Sequence, residues 1–416
     1  MRKKKLVLED LQVSGYAAGG KSIAKLEGKV VFIEGAVPGD VVDVRLSKNK
    51  KDWAEGKAIR FRSYSAERTT PFCKHFGVCG GCKWQMLPYE KQLEYKFQEV
   101  EQQMKRIGKI KIPEMQPIAG ASETQYYRNK LEFTFSSKKY FTEEEIASLE
   151  MPDEGPRGLP SIPALGFHVP GSFDKVIDID ECFLQAEPSN AIRNGIRAHA
   201  LEKGYSFYDI RNHTGLLRNL LVRLCTTGDL MVNLVFGEDD EKAREDMMEY
   251  IKKEFPAITS LYYTINRKFN DSLGDQHPVL YHGNAFAIEQ LGGLKFKVGP
   301  KSFFQTNSTQ AERLYQITKD FAELKGTEIV YDLYCGTGSI GIFVSDKAAK
   351  VIGVEVISEA IDDAHENATM NGIDNTLFYA GDVADICNNA FFETHGRPDV
   401  IITDPPRAGM HEKLVQ

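Results

Sequence analysis

The stretch Val330–Gly341, VYDLYCGTGSIG, limits what this chain can fold into more than any other. An apolar run (Ile329, Val330, Tyr331) reaches Asp332, a turn follows with Gly336, Gly338 and Gly341, and a helical pattern comes next. A strand feeding such a turn lets backbone N–H groups at a helix N-terminus approach a ligand closely, because glycine puts no side chain in the way. The spacing GTGSIG also satisfies the dinucleotide fingerprint G-x-G-x-x-G. The loop thus asks for a nucleotide-like cofactor without saying which. It also asks for strands and helices in alternation, and these are present. After SFFQTN (302–307) the pattern predicts a helix over 308–325 with Leu314, Ile317, Phe321 and Leu324 inward. Then come EIVYDLY, the loop and its helix, KVIGVEV, a helix over 358–371, NTLFYAGD, a further helix and DVIITDPP. Repeated βα units with apolar strands mean a doubly wound, mostly parallel sheet.

The N-terminal part reads differently. Residues 1–65 suggest four strands, LVLEDLQV, GKVVFIEG and two more around the polar tip SKNKKD, with turns at Gly19-Gly20, Gly35 and Pro38-Gly39-Asp40. Short strands closed by tight turns predict a small barrel of the OB type or a relative of it. Net charge is -7 overall, yet residues 1–70 hold fifteen Lys and Arg against nine Asp and Glu, a net of +6. A basic module on an acidic body fits nucleic-acid binding by one part of the chain. Arg45, Lys48, Lys50, Lys51, Lys57, Arg60 and Arg62 lie among Trp53, Phe61 and Tyr64, which suits phosphate contact with base stacking.

Three cysteines follow in CKHFGVCGGC: Cys73, Cys79 and Cys82, at spacings of five and two residues. Two glycines between close cysteines let the backbone wrap a metal, and a fourth ligand must come from Cys182, Cys225, Cys335 or Cys387. Cys182, after a turn-rich polar stretch, is the best choice. Four thiolates suit zinc or an iron–sulfur cluster alike, and spacing does not separate them. Seven cysteines, an odd count in a long chain, speak against a disulfide framework. No run approaches a membrane span and the start has no signal peptide, which predicts a cytoplasmic protein.

Between these parts, 89–107 predicts a helix whose stripe Leu93, Phe97, Val100, Met104 and Ile107 is core. YYRNKLEFTFS (126–136) alternates like a strand and carries Arg128 and Lys130. Thr142–Pro163 is acidic and reads as a loop or insertion. A helix near 188–203, a hairpin turning at Thr227-Gly228-Asp229, a helix at 240–254 and the strand in TSLYYTINRKFND complete a largely antiparallel α+β region that presents substrate.

Three features separate S-adenosylmethionine from NAD. Asp332 ends the first strand, where a carboxylate can reach a cationic amino-acid moiety. Glu355 closes the second strand, 19 positions after Gly336, and suits a ribose diol. Asp404-Pro405-Pro406 closes a later strand in VIITDPPRAG. Two prolines fix a rigid turn at the strand end where open α/β sheets place ligands.

At this point the chain resembles a family. GKVVFIEGAVPGD is similar to part of a TRAM domain, an RNA-binding barrel attached to RNA-modifying enzymes. SFFQTN, DLYCGTGSIG, GVEV, TDPPRAG and CKHFGVCGGC together resemble the RNA uracil-C5 methyltransferases, and more narrowly the bacterial 23S rRNA (uracil-5-)-methyltransferases with an iron–sulfur cluster. The resemblance implies three parts: a TRAM-like barrel over 1–65, a central α+β domain with the cluster over 66–295, and an incomplete methyltransferase domain over 296–416. It implies a cluster of the 4Fe-4S kind on Cys73, Cys79, Cys82 and Cys182. It implies S-adenosylmethionine contacts at Gln305, Tyr334, Gly336, Gly338, Glu355, Asp382 and Asp404, with Asp404 also catalytic. The implied partner is RNA, 23S rRNA ahead of tRNA, and the implied state is a monomer. The family's chemistry uses a cysteine thiolate that adds to uracil C6. That thiolate is expected in a motif beyond DPPR, past Gln416, so this sequence is expected to turn over no uridine. An NAD-linked oxidoreductase and a non-catalytic RNA-binding protein are the rival readings.

Overall fold

The structure is a computed structural model and describes residues 6–148, 159–407, 409–410 and 412. The chain forms two compact units: residues 1–124, 140–159 and 167–181 in one, residues 125–139, 160–166 and 182–416 in the other. Segment 66–295 contributes to both.

In the first unit, strands β1 (Val7–Ala17), β2 (Lys21–Leu26), β3 (Lys29–Glu34), β4 (Val41–Asn49) and β5 (Trp53–Ser63) close a barrel in the order β1-β2-β3-β5-β4. Alternation places Leu11, Val13, Val31, Ile33, Val42, Val44 and Leu46 inside. The sequence pattern misses β2 because its buried positions are Ser22 and Ala24, which carry no hydrophobic signal. A buried Asp40 ties the turn before β4 to the chain after β5. It accepts from the N–H groups of Val37 (2.7 Å) and Ser65 (2.9 Å), and from Arg68 Nε (2.9 Å) and Nη2 (2.8 Å).

Helix α1 (Tyr89–Arg106) forms where its periodicity predicts, but its stripe is not core. Tyr95 is the buried residue, while Val100, Met104 and Ile107 are 42%, 40% and 79% exposed. Periodicity shows that a face exists, not that anything covers it. The predicted loop at 142–163 holds a short helix, α2 (Glu143–Ser148), opened by a capping box. Thr142 Oγ1 accepts from Glu145 N–H and Glu145 Oε2 accepts from Thr142 N–H. Positions 149–158 of that stretch lie outside the described residues.

The second unit contains β6 (Lys130–Ser136), and β7 (Ala164–Val169) begins in it before β8 (Ser172–Asp178) follows in the first unit. Helix α3 (Ser189–Glu202) precedes β9 (Leu217–Leu224) and β10 (Leu230–Phe236), which form the predicted hairpin around Gly228. Helix α4 (Glu241–Glu254) then crosses to β11 (Ser260–Ile265), which pairs parallel with β10, and β12 (Val279–Gly283) follows. These strands make one sheet in the order β12-β11-β10-β9-β6, with residues 164–166 paired on β6. The hairpin of β13 (Ala287–Leu291) and β14 (Leu294–Val298) leads to α5 (Ser308–Phe321). Helix α5 buries Ala311 and Tyr315, whereas Leu314 and Phe321 are 51% and 82% exposed. The inward face is thus offset by one residue from the predicted one.

The remaining elements are β15 (Ile329–Leu333), α6 (Ser339–Val344), β16 (Lys350–Glu355), α7 (Ser358–Met370), β17 (Thr376–Ala380), α8 (Val383–Ile386), α9 (Asn389–His395) and β18 (Val400–Thr403). Their sheet runs β17-β16-β15-β18 and every pair is parallel, as the βα alternation predicts. Among the described residues, no helix is long and apolar enough to cross a membrane.

Candidate active site at the switch point of the parallel sheet

Strand order reverses between β15 and β18, so a crevice opens outside their carboxyl ends, where sheets of this kind take ligands. The loop after β15 forms one wall. Tyr334 has φ +64°, a conformation that side chains seldom adopt, and its N–H donates to Val354 O (2.9 Å). Gly336 donates its N–H to Glu355 Oε2 at 3.2 Å, so the acid closing β16 holds the loop directly. The two predicted glycines have different tasks. A Cβ on Gly336 would meet nothing within 4 Å, which leaves space above the loop for a ligand. A Cβ on Gly338 would lie 2.9 Å from the Phe378 ring, so that glycine serves packing.

Asp332 departs from expectation. It does not face the crevice: it is fully buried beneath the loop, and its Oδ2 accepts from Gly341 N–H at 2.8 Å. Its Oδ1 is buried with no hydrogen-bond partner. Burial pushes the carboxyl up to about 7, with Asp404 and Glu355 adding to the shift and the Gly341 N–H opposing it. A strand-end acid is legible in sequence, but whether it points up at a ligand or down at the helix is not.

Asp404 follows β18, exposed, with its N–H 3.5 Å from Leu333 O. Asp382, also exposed, caps α8 through Ala384 N–H (2.8 Å), and the adjacent Gly381 N–H donates to Glu355 O (2.9 Å). Tyr334, Gly336, Glu355, Asp382 and Asp404 therefore share one strand-end rim. Gln305 joins the unit through its carbonyl, which accepts from Asn129 Nδ2 at 2.9 Å. Sequence reasoning missed two supports. Asn367, fully buried on α7, donates to Thr337 O (3.0 Å), and Tyr315 OH lies 2.9 Å from Ser339 Oγ. An uncharged polar residue on a helical core face was the only signal for Asn367. Cys335 is buried, as expected of a loop residue, and burial pushes its thiol up.

In the first unit, Cys73, Cys79 and Cys82 are half-buried around Gly80 and Gly81. Gly81 N–H donates to Cys79 Sγ (3.4 Å), and a Cβ on Gly80 would lie 2.5 Å from His168 O. Cys182 is buried in the second unit. Among the described residues, no three His, Cys, Asp or Glu side chains are gathered as a metal ion requires. The expected four-thiolate centre thus has no support among the described residues, and no step below runs through it.

On the barrel the structure sorts the predicted cations. Arg62 pairs with Asp43 (2.9 Å), Lys48 with Glu55 (3.2 Å), and Arg60 lies 3.9 Å from Asp43. Phe61 and Tyr64 stack at 4.9 Å under the Arg68 guanidinium. Arg45, Lys50, Lys51 and Lys57 are exposed and make no ion pair among the described residues, and Trp53 is 36% exposed beside them.

The crevice is bordered by carboxylates, whereas a dinucleotide pyrophosphate needs small neutral residues there. It suits a cationic nucleoside, and the fold is that of the S-adenosylmethionine-dependent methyltransferases. Residues 324–413 match the family description "Methyltransferase domain" and residues 9–59 match "TRAM domain". Over 407 residues the chain is 50% identical to an uncharacterized RNA methyltransferase of Porphyromonas gingivalis, covering 97% of this chain and 87% of the relative. It is also 50% identical over 402 residues to one of Bacteroides thetaiotaomicron, covering 96% and 87%. Its fold resembles that of the Pyrococcus abyssi tRNA (uracil-54, C5)-methyltransferase solved with S-adenosyl-L-homocysteine, with TM-score 0.71, 24% identity, and 98% and 85% of the two chains covered. The chain belongs to the RNA methyltransferase family.

Proposed function

We propose that this protein methylates C5 of a uridine in RNA, with 23S rRNA as the first candidate substrate. One observation carries the reading: Asp404-Pro405-Pro406 closes β18 directly across the switch point from the glycine loop. S-adenosylmethionine supplies a methyl group on a cationic sulfonium. In this reading Glu355 takes its ribose diol, Gly336 leaves it room, and Tyr334, Gln305 and Asp382 complete its surroundings. The Asp404 carboxylate makes no side-chain hydrogen bond among the described residues, so it is free to accept from uracil N3–H. Reaching that edge requires the target nucleotide to leave its stack.

Uracil C5 is a weak nucleophile until a thiolate adds to C6. The S–C6 bond forms, the C5=C6 pair shifts toward the C4 carbonyl, and C5 then takes the methyl carbon as the sulfonium bond breaks. Loss of the C5 proton to a base restores C5=C6 and expels the thiolate. None of the cysteines outside the Cys73–Cys182 set suits this role. Burial pushes the thiols of Cys335 and Cys387 up, and that of Cys225 up to about 12. We therefore assign the nucleophile to none of these three thiols. The protein is expected to bind S-adenosyl-L-homocysteine. The protein is expected to be trapped covalently on 5-fluorouridine RNA, because fluorine at C5 cannot leave as a proton. Tight NAD binding without S-adenosyl-L-homocysteine binding contradicts the proposal.

A second reading, tRNA as substrate, has support of its own. The Pyrococcus abyssi fold match spans 98% of this chain, so a barrel ahead of this fold does not by itself choose 23S rRNA. The iron–sulfur cluster on Cys73, Cys79, Cys82 and Cys182 also belongs to the proposal. The cysteine spacing and the N–H donated to Cys79 Sγ support it.

A further inference from the structure

Strands β6 and β9 pair antiparallel and set Lys130 directly opposite Arg223. Directly opposed residues share one face of a sheet with Cβ atoms about 5 Å apart, and like charges so placed are destabilising. Here both are also withdrawn from water. Arg223 is 1% exposed, its Nη2 donates to Ser302 O (3.0 Å), and its Nε is buried with no hydrogen-bond partner. Lys130 is half-buried and makes no hydrogen bond or ion pair through its amine among the described residues. Burial, then the neighbouring Arg223 cation, holds the Lys130 amine below the usual lysine range.

The nearby carboxylates do not neutralise the pair. Glu289 faces Arg223, but its oxygens are engaged by Asn129, Ser308, Thr226 and the Gln290 N–H. Glu132, two residues along β6, makes no ion pair among the described residues; burial pushes its carboxyl up, and its charge favours the Lys130 cation only from beyond ion-pair distance. A buried cation without a partner is costly unless an anion completes it. The surroundings say which process that anion belongs to. Asn129, beside Lys130, donates its N–H to Thr306 O (2.7 Å) and its Nδ2 to Gln305 O, while Arg223 holds Ser302. Arg223 is thereby fixed to segment 302–306, and Lys130 follows a residue bonded to it; that segment carries a proposed contact to the methyl donor.

We propose that Lys130, backed by Arg223, binds a backbone phosphate of the RNA strand being methylated. This rests on the RNA methyltransferase reading. The test uses Lys130→Gln and Lys130→Arg, with labelled poly-uridylate RNA as probe across a salt series. S-adenosyl-L-homocysteine titration and thermal melting run in parallel. Lys130→Gln is expected to weaken RNA binding and lower the salt slope by about 0.7, the share of one phosphate contact on a single strand. Lys130→Arg should retain binding. S-adenosyl-L-homocysteine affinity should not change, and melting of Lys130→Gln should stay level or rise, since a like-charge pair has been relieved. Unchanged RNA affinity and salt slope in Lys130→Gln overturns the proposal, as does a drop in melting with binding intact, which marks a structural lysine. Wild-type protein that takes up S-adenosyl-L-homocysteine but no RNA overturns the RNA reading itself, and this inference with it.

Discussion

Single residues in the glycine loop divide the labour between holding a ligand and holding the fold. Gly336→Ala places a methyl in open space at φ +55°, at a backbone cost of about 1–2 kcal/mol. It should leave most of the fold intact while weakening S-adenosyl-L-homocysteine binding. Gly338→Ala meets the Phe378 ring and Ala364 as well as an unfavourable φ, so it should lower the melting temperature more. The reverse ranking in a paired melting and titration experiment would contradict this division. Asp332 gives a pH signature. Its folded value of about 7 lies above the ordinary carboxylate value, so the folded state keeps a proton that the unfolded chain releases near pH 4. The stability it contributes is full below about pH 4 and is lost as pH rises through about 7, up to about 4 kcal/mol for one buried group. Asp332→Asn keeps an oxygen for Gly341 N–H and removes the titration. Its stability should fall less than that of the wild type between about pH 5 and about pH 8, as denaturant midpoints would show.

At the scale of elements, legibility followed the hydrophobic signal. β15, β16 and the β9–β10 hairpin were legible because apolar runs and turn residues agree with the fold. β2 was not, since Ser22 and Ala24 fill its inward positions. The stripes of α1 and α5 show the other limit: a helical period gives a face but not its phase or its cover. The rim residues Glu355 and Asp404 were legible because strand ends are, whereas Lys130 opposite Arg223 depends on pairing register, which no local pattern fixes. The barrel shows the same point for charge. Seven cations look equivalent in sequence, yet Arg62 and Lys48 are held by Asp43 and Glu55. Arg45→Gln and Lys57→Gln should therefore each weaken RNA binding more than Arg62→Gln in a filter-binding assay. Equal losses from all three would mean that the barrel acts only through its net charge.

The whole molecule carries both a cation-bearing barrel and a parallel sheet whose crevice suits a methyl donor. The cysteines belong to this scale, since Cys73, Cys79 and Cys82 lie in the first unit and Cys182 in the second. Anaerobically purified full-length protein should carry about four irons with matching sulfide per chain if the cluster forms. Zinc, or no metal, removes the cluster from the account and leaves the methyl-transfer chemistry as argued. The central claim is uridine C5 methylation, and mapping 5-methyluridine in 23S rRNA and tRNA from cells with and without the full-length gene tests it most directly. The account predicts that at least one 5-methyluridine, in 23S rRNA first, disappears with the gene and returns with it. An unchanged 5-methyluridine map in both RNAs would contradict it.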